Sequence, residues 1–171
     1  FLFDLDAGKT AFREAARATK AGGGMAGITI SDPFCVERHR DDFLKLITHD
    51  LDYVIGNAAE LKSLFETDDL EDALTKTAQI CPLVVCTRSE DGVTLLRDGD
   101  RVDVGVEAVT PVDATGAGDQ FAAGFLFGLS HGHDLETCGR MGNLCAAEVI
   151  SHIGPRPKAE MKTVFQSHGL V

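Results

Sequence analysis

The chain has 171 residues, 44% of them apolar and 25% charged, with 18 glycines and only 5 prolines, a mix that excludes disorder and collagen-like repeats and permits a sizeable core. Its 16 basic and 27 acidic side chains give a net charge of −11, which disfavours long-range attraction to nucleic acid or anionic lipid. No apolar run approaches the roughly 18–20 residues that cross a bilayer and no basic segment leading into an apolar stretch marks an export signal, so a soluble, cytoplasmic protein is expected.

In chain order, Phe1-Leu2-Phe3 is an apolar, strand-like run without an initiator Met, read as lying inside a longer protein. Phe12, Ala15 and Ala16 recur at helical spacing, Thr19 can extend the stripe with its methyl group, and Gly22, Gly23 and Gly24 stop it, which predicts a helix over 9–21. A strand over Met25 to Ile30 follows, then a helix over 36–48 with Phe43, Leu44 and Ile47 inward, then a buried strand from Asp52 to Ile55 that ends at Gly56-Asn57. Helices over 58–65 and 69–80 lead into the strand Leu83 to Thr87, whose unbroken apolar character suits a parallel sheet covered on both faces. Asp98-Gly99, between Val93–Arg97 and Arg101–Val106, has the chemistry of a tight hairpin turn. Beyond Pro111 a glycine-rich loop enters a helix over 118–130 with Phe121, Ala122, Phe125, Leu126 and Leu129 on one face. A second helix over 134–153 buries Leu135, Cys138, Cys145, Val149 and Ile150, Gly154-Pro155 ends it, and a last helix covers 157–167. The pattern is an α/β fold with a mostly parallel sheet and one antiparallel hairpin. With no repeat or linker, residues 1–171 are expected to form a single domain.

The five cysteines are odd in number and lack CxxC spacing, which argues against a disulfide framework or a thiolate zinc site and fits a reducing compartment. Cys81 and Cys86 are expected to be buried and inert. His131 and His133, beside Gly132, suit a helix end.

The stretch richest in chemistry is Asp113-Ala-Thr-Gly-Ala-Gly-Asp119, immediately before an apolar helix. Gly116 and Gly118 let the backbone turn so that amide N–H groups at a helix start point at one anion, where the helix dipole adds about half a positive charge. Asp119 can face the same space as a proton acceptor for a substrate hydroxyl, or can be no more than an N-cap. Asn57-Ala-Ala-Glu60, just past a strand end, can organise a hydrated magnesium or form a capping box. Thr87, also at a strand end, opens Thr-Arg-Ser-Glu-Asp-Gly92, where a hydroxyl and a flexible glycine can approach a nucleotide or simply form a loop.

In this order the three features resemble the C-terminal half of the ribokinase-like carbohydrate kinases, the PfkB family. DATGAGD is similar to that family's Asp-Thr-x-Gly-Ala-Gly-Asp signature, NAAE to its Asn-x-x-Glu motif, and Thr87 to Gly92 to its strand-end nucleotide loop. Ala114 stands where the family more often has Thr, and Ser89 where Gly is usual. The resemblance implies a three-layer αβα fold and ATP-dependent transfer of the γ-phosphoryl group to a hydroxyl of a sugar or nucleoside, with Asp119 as catalytic base and the amides of Gly116, Ala117 and Gly118 as anion hole. It also implies that Asn57 and Glu60 position Mg2+ and phosphates, that Thr87, Gly92 and Asn143 contact ATP, and that Asp113, Thr115 and the turn at Gly154 form a site for a monovalent cation such as K+. Ser31 to Arg40 resembles the adenosine-kinase and sugar-kinase subgroup. The family's sugar-binding aspartate, early glycine pair and β lid belong to an N-terminal half that this sequence lacks. The chain is therefore expected to keep much of the ATP side and to turn over little by itself, and the full-length protein to form a homodimer through lid strands.

Three rivals follow from the same residues. Gly8-Lys9-Thr10 suggests a phosphate-binding loop, but Phe3 stands where its first glycine is required. Asp4-Leu5-Asp6 resembles the start of the haloacid-dehalogenase phosphatases, with Ala7-Gly8 in place of their Gly-Thr and no later acidic pair to complete a magnesium site, since Gly118-Asp119 is followed by Gln-Phe-Ala-Ala. The third is a non-catalytic nucleotide-binding module of kinase type.

Overall fold

The computed structural model describes residues 2–171. Residues up to Thr87 together with Leu96–Arg101 form one compact unit, and Arg88–Leu95 with Val102–Val171 form another.

In the first unit, Leu2–Asp4 is a 3₁₀ turn, followed by α1 (Asp6–Ala21), β1 (Gly27–Thr29), α2 (Pro33–His49), β2 (Tyr53–Asn57), α3 (Ala58–Leu64), α4 (Leu70–Ile80) and β3 (Leu83–Thr87). The expected strand-like run at the N-terminus is corrected to that turn, where Phe3 stacks on Phe43 with ring centroids 4.6 Å apart; Phe1 lies outside the described residues. Helix α2 starts where Asp32 caps it, its Oδ1 accepting the Cys35 amide at 2.9 Å, with Pro33 in the first turn. It bends at His39, whose ring nitrogen meets Asp4 at 2.7 Å. Thr19 does not extend the apolar stripe of α1, because it is exposed and donates its hydroxyl to the Ala15 carbonyl.

Strands β1, β2 and β3 pair in parallel, with Ile28 opposite Val54 and Val54 opposite Val84. Leu83, Val84, Val85 and Cys86 are completely buried, as a strand covered on both faces requires. Two further strands, β4 (Val93–Arg97) and β5 (Asp100–Val104), extend the sheet in the order β1-β2-β3-β4-β5. Asp98 and Gly99, both with positive φ (54° and 88°), link them by a two-residue turn that only antiparallel strands can share.

The second unit continues with α5 (Ala117–Ser130), α6 (Leu135–Ile150) and α7 (Met161–Ser167). Helix α6 stops three residues before its expected end because the Ile150 carbonyl accepts the Val112 amide at 2.7 Å and the Ser151 hydroxyl returns to Glu148 O. Helix α7 begins at Met161, not 157, where Glu160 caps the Thr163 amide at 2.7 Å. Phe121 and Phe125 on α5 and Cys138, Met141 and Cys145 on α6 are buried, and the two helices pack closely at Gly124, where a β-carbon would lie 2.5 Å from the Met141 carbonyl oxygen. Gly124→Ala is therefore expected to destabilise the protein by about 1–3 kcal/mol through overpacking, read as a lower urea midpoint with unchanged slope. A midpoint equal to wild type would refute this account of the packing.

Candidate functional site

Helix α5 begins at a residue that only glycine can easily occupy. Gly116 is its N-cap with φ 83°, and a β-carbon there would lie 2.8 Å from Cβ of Pro155. Asp113 prepares the turn: one carboxylate oxygen accepts the Thr115 amide at 2.9 Å and the other the Gly154 amide at 3.0 Å. The Thr115 hydroxyl, the Gly154 amide and the Thr115 amide together hold the Asp113 carboxyl down to about 2.

Helix starts leave amides without intrahelical acceptors. Gln120 N reaches Gly116 O at 2.9 Å and Ala117 N reaches Ala114 O at 3.2 Å. Among the described residues, nothing accepts from the amides of Gly116 and Gly118. Of the three expected anion-hole donors, Ala117 is thus engaged by the protein itself, and two stay open. Asp119 is exposed in the first turn, with no hydrogen bond or ion pair among the described residues. It is not an N-cap, since that position belongs to Gly116.

In the first unit, Asn57 and Glu60 form a complete capping box at the β2–α3 junction. Asn57 Oδ1 accepts Glu60 N at 2.9 Å, and Glu60 Oε2 accepts Asn57 N at 2.8 Å. Glu60 Oε1 also accepts Asn57 Nδ2 at 2.7 Å. Glu60 is only 6% exposed; burial pushes its carboxyl up against the pull of the Asn57 amide, and Asp32 adds to the rise. Among the described residues no group of three or more His, Cys, Asp and Glu side chains could hold a metal. With both oxygens on Asn57, Glu60 fits a magnesium held through water better than one bound directly.

Thr87 ends β3, half-buried. In the loop that follows, Arg88 N meets Gly92 O at 2.7 Å, and Gly92 (φ 85°) passes so close to β5 that a β-carbon would lie 2.0 Å from Val104 O. Gly92 thus has a steric reason to be glycine apart from any nucleotide. Ser89, where a glycine is usual in the resembling family, takes a positive φ of 52°. Asn143, expected to contact ATP, is buried, and its Nδ2 donates to Val104 O at 3.3 Å and Gly105 O at 2.9 Å, anchoring the end of β5.

Two of the rivals lose their geometry. Lys9 lies within α1 with Nζ 2.7 Å from Asp42, and Asp4 sits in a 3₁₀ turn against His39, not at a strand end. Residues missed by sequence reasoning are Pro155, which backs Gly116 and accepts Gln120 Nε2 at 3.3 Å, and Glu148, which accepts the amides of Lys158 and Ala159. Pro155 itself signalled only a helix stop. A cavity of about 420 Å³ in the first unit, lined by Thr75, Gln79, Arg97 and Arg101 among others, contains none of the expected site residues.

The pfkB family carbohydrate kinase model matches residues 2–162. The crystal structure of adenosine kinase from Sinorhizobium meliloti is similar with a TM-score of 0.92 and 44% identity, over 94% of this chain and 50% of that one. An uncharacterized sugar kinase of Archaeoglobus fulgidus is 35% identical over 122 residues, covering 70% of this chain and 48% of its own. Adenosine kinase 1 of Arabidopsis thaliana is 32% identical over 142 residues, covering 74% of this chain and 41% of its own. The chain thus spans about half the length of these relatives. No helix among the described residues is long and apolar enough to cross a membrane.

Because its folded pKa is depressed from 3.8 to about 2, Asp113 contributes stability that is fully present above its unfolded value and is lost as pH falls through about 2. The urea midpoint of Asp113→Asn is expected to lie below wild type at neutral pH, and the gap to close between about pH 4 and pH 2. A gap that stayed constant across this range would show that the charge plays no part.

Proposed function

Since the chain belongs to the pfkB family of carbohydrate kinases, we propose that it carries the nucleotide side of an ATP-dependent phosphotransferase acting on a hydroxyl of a nucleoside or sugar. The observation that carries this reading is the unpartnered Asp119 carboxylate in the same helical turn as the open Gly118 amide, three and two residues beyond the Gly116 N-cap. Asp119 accepts the proton of the attacking hydroxyl. The amides of Gly116 and Gly118 stabilise charge on the migrating phosphoryl group, and Ala117 joins them only by giving up its 3.2 Å bond to Ala114. In phosphoryl transfer such positioning and charge stabilisation supply most of the catalysis. Thr87 and Gly92 serve ATP. Asn57 and Glu60 hold waters of Mg2+, which when bound offsets phosphate charge, and the ionised Asp113 with Thr115 suits a nearby K+.

Adenosine is placed first among acceptors, because the adenosine kinase of Sinorhizobium meliloti shares 44% identity with this chain; a sugar such as ribose or fructose is the alternative. Transfer from ATP to adenosine, ribose and fructose should be measured for this chain and for any longer natural form. Asp119→Asn is expected to reduce kcat by roughly 10²–10⁴-fold, the share of a general base, while leaving affinity for the non-hydrolysable analogue AMP-PNP within a few fold. Undiminished turnover in that variant would remove Asp119 from the chemistry. AMP-PNP binding without turnover in either wild-type form would instead favour a non-catalytic nucleotide-binding module.

A further inference from the structure

We propose that Glu148 is a positioning residue for the amides at the start of α5, holding the segment 151–160 as a brace behind Gly116. This segment has no helix or strand of its own, yet it meets the start of α5 at three places. Gly154 N donates to Asp113 Oδ2 at 3.0 Å, Pro155 Cβ lies 2.8 Å from where a β-carbon of Gly116 would be, and Pro155 O accepts Gln120 Nε2 at 3.3 Å. Such a segment can press on Gly116 only if it is fixed elsewhere, and Glu148 in the last turn of α6 does this.

One Glu148 carboxylate oxygen accepts the amides of Lys158 at 2.9 Å and Ala159 at 2.8 Å, and His152 Nε2 lies 3.3 Å from it. The side chain is 14% exposed. Burial pushes its carboxyl up, but the Ala159 and Lys158 amides and His152 outweigh this and hold it below the usual carboxylate value. An ionised acceptor that receives two successive amides fixes the far end of the segment in direction as well as position. Removing it leaves both amides without a protein acceptor and Pro155 tethered only through Asp113 and Gln120. The Gly116 turn then loses its backing, and the open amides lose their shared direction.

The consequence for nucleotide rests on the kinase reading, whereas the effect on the backbone does not, and two measurements separate them. Amide resonances of Gly116 and Gly118 are followed without ligand, and AMP-PNP affinity is measured by titration calorimetry, for wild type, Glu148→Ala and Glu148→Gln. Leu170→Ala, a buried truncation near the C-terminus, serves as a control for general destabilisation. Glu148→Ala is expected to shift the Gly116 and Gly118 resonances and to weaken AMP-PNP roughly tenfold, the scale of one lost charge-assisted hydrogen bond. Glu148→Gln, which keeps an acceptor oxygen but no charge, should fall between it and wild type, and Leu170→Ala should leave both resonances in place. The proposal is overturned if folded Glu148→Ala leaves the two resonances unmoved, or if Leu170→Ala moves them as far. Should Glu148→Ala not fold, Glu148→Gln decides by the same criterion. If wild type fails to bind AMP-PNP, the kinase reading falls, and the ligand-free resonances still decide the role of Glu148.

Discussion

The second unit depends on one steric fact: at Gly116 the backbone turns with φ 83° against Pro155 and leaves no room for a β-carbon. By turning there the chain enters α5 with the Gly116 and Gly118 amides unclaimed and with Asp119 in solvent beside them. This matters more in a protein of net charge −11 than in a basic one. Distant charges are screened over a Debye length of about 8 Å, so a phosphate is attracted or repelled mainly by what lies within hydrogen-bond reach. Main-chain donors at a helix start supply that attraction without a lysine cluster, and they cannot swing away as long side chains do.

The parts of this arrangement that were legible in the sequence are those written in local pattern. Strand β3 runs from Leu83 to Thr87 as expected, because an apolar run bounded by Pro82 and a polar loop has one reading. Helix α5 starts within a residue of its expected position, since the glycine loop and the stripe from Phe121 to Leu129 mark its boundary from both sides. The hairpin turn at Asp98-Gly99 was equally plain. What could not be read depends on contacts remote in sequence. The apolar start of the chain suits a strand as well as a turn, and packing of Phe3 on Phe43 decides for the turn. The bonds from the Asn143 amide to the carbonyls at the end of β5 likewise join residues far apart in sequence. Pro155 signals a stop in any local window, and nothing near it in sequence points to Gly116.

Under the proposed function, Asn57-Ala-Ala-Glu60 has two demands to satisfy. The capping box is complete, so the motif needs no function beyond α3 to explain its presence. Yet a carboxylate offers about four acceptor sites, and Asn57 occupies two of those on Glu60. The box therefore fixes the orientation of a buried carboxyl without exhausting it. A side chain held this way loses little freedom on meeting a hydrated cation, which is an advantage for a positioning site.

The acidic residues Asp113 and Glu148 share a single piece of physics that accounts for much of the loop order in the second unit. Each lies next to a stretch without periodic structure, and each accepts backbone amides that no helix or strand ladder satisfies: Thr115 and Gly154 for Asp113, Lys158 and Ala159 for Glu148. An ionised carboxylate is a stronger acceptor for a backbone N–H than a carbonyl is. Both carboxyls are held below their ordinary values by these contacts, so the charge and the loop geometry stabilise each other. Some of the carboxylates behind the net charge of −11 thus shape the turn whose amides stay open.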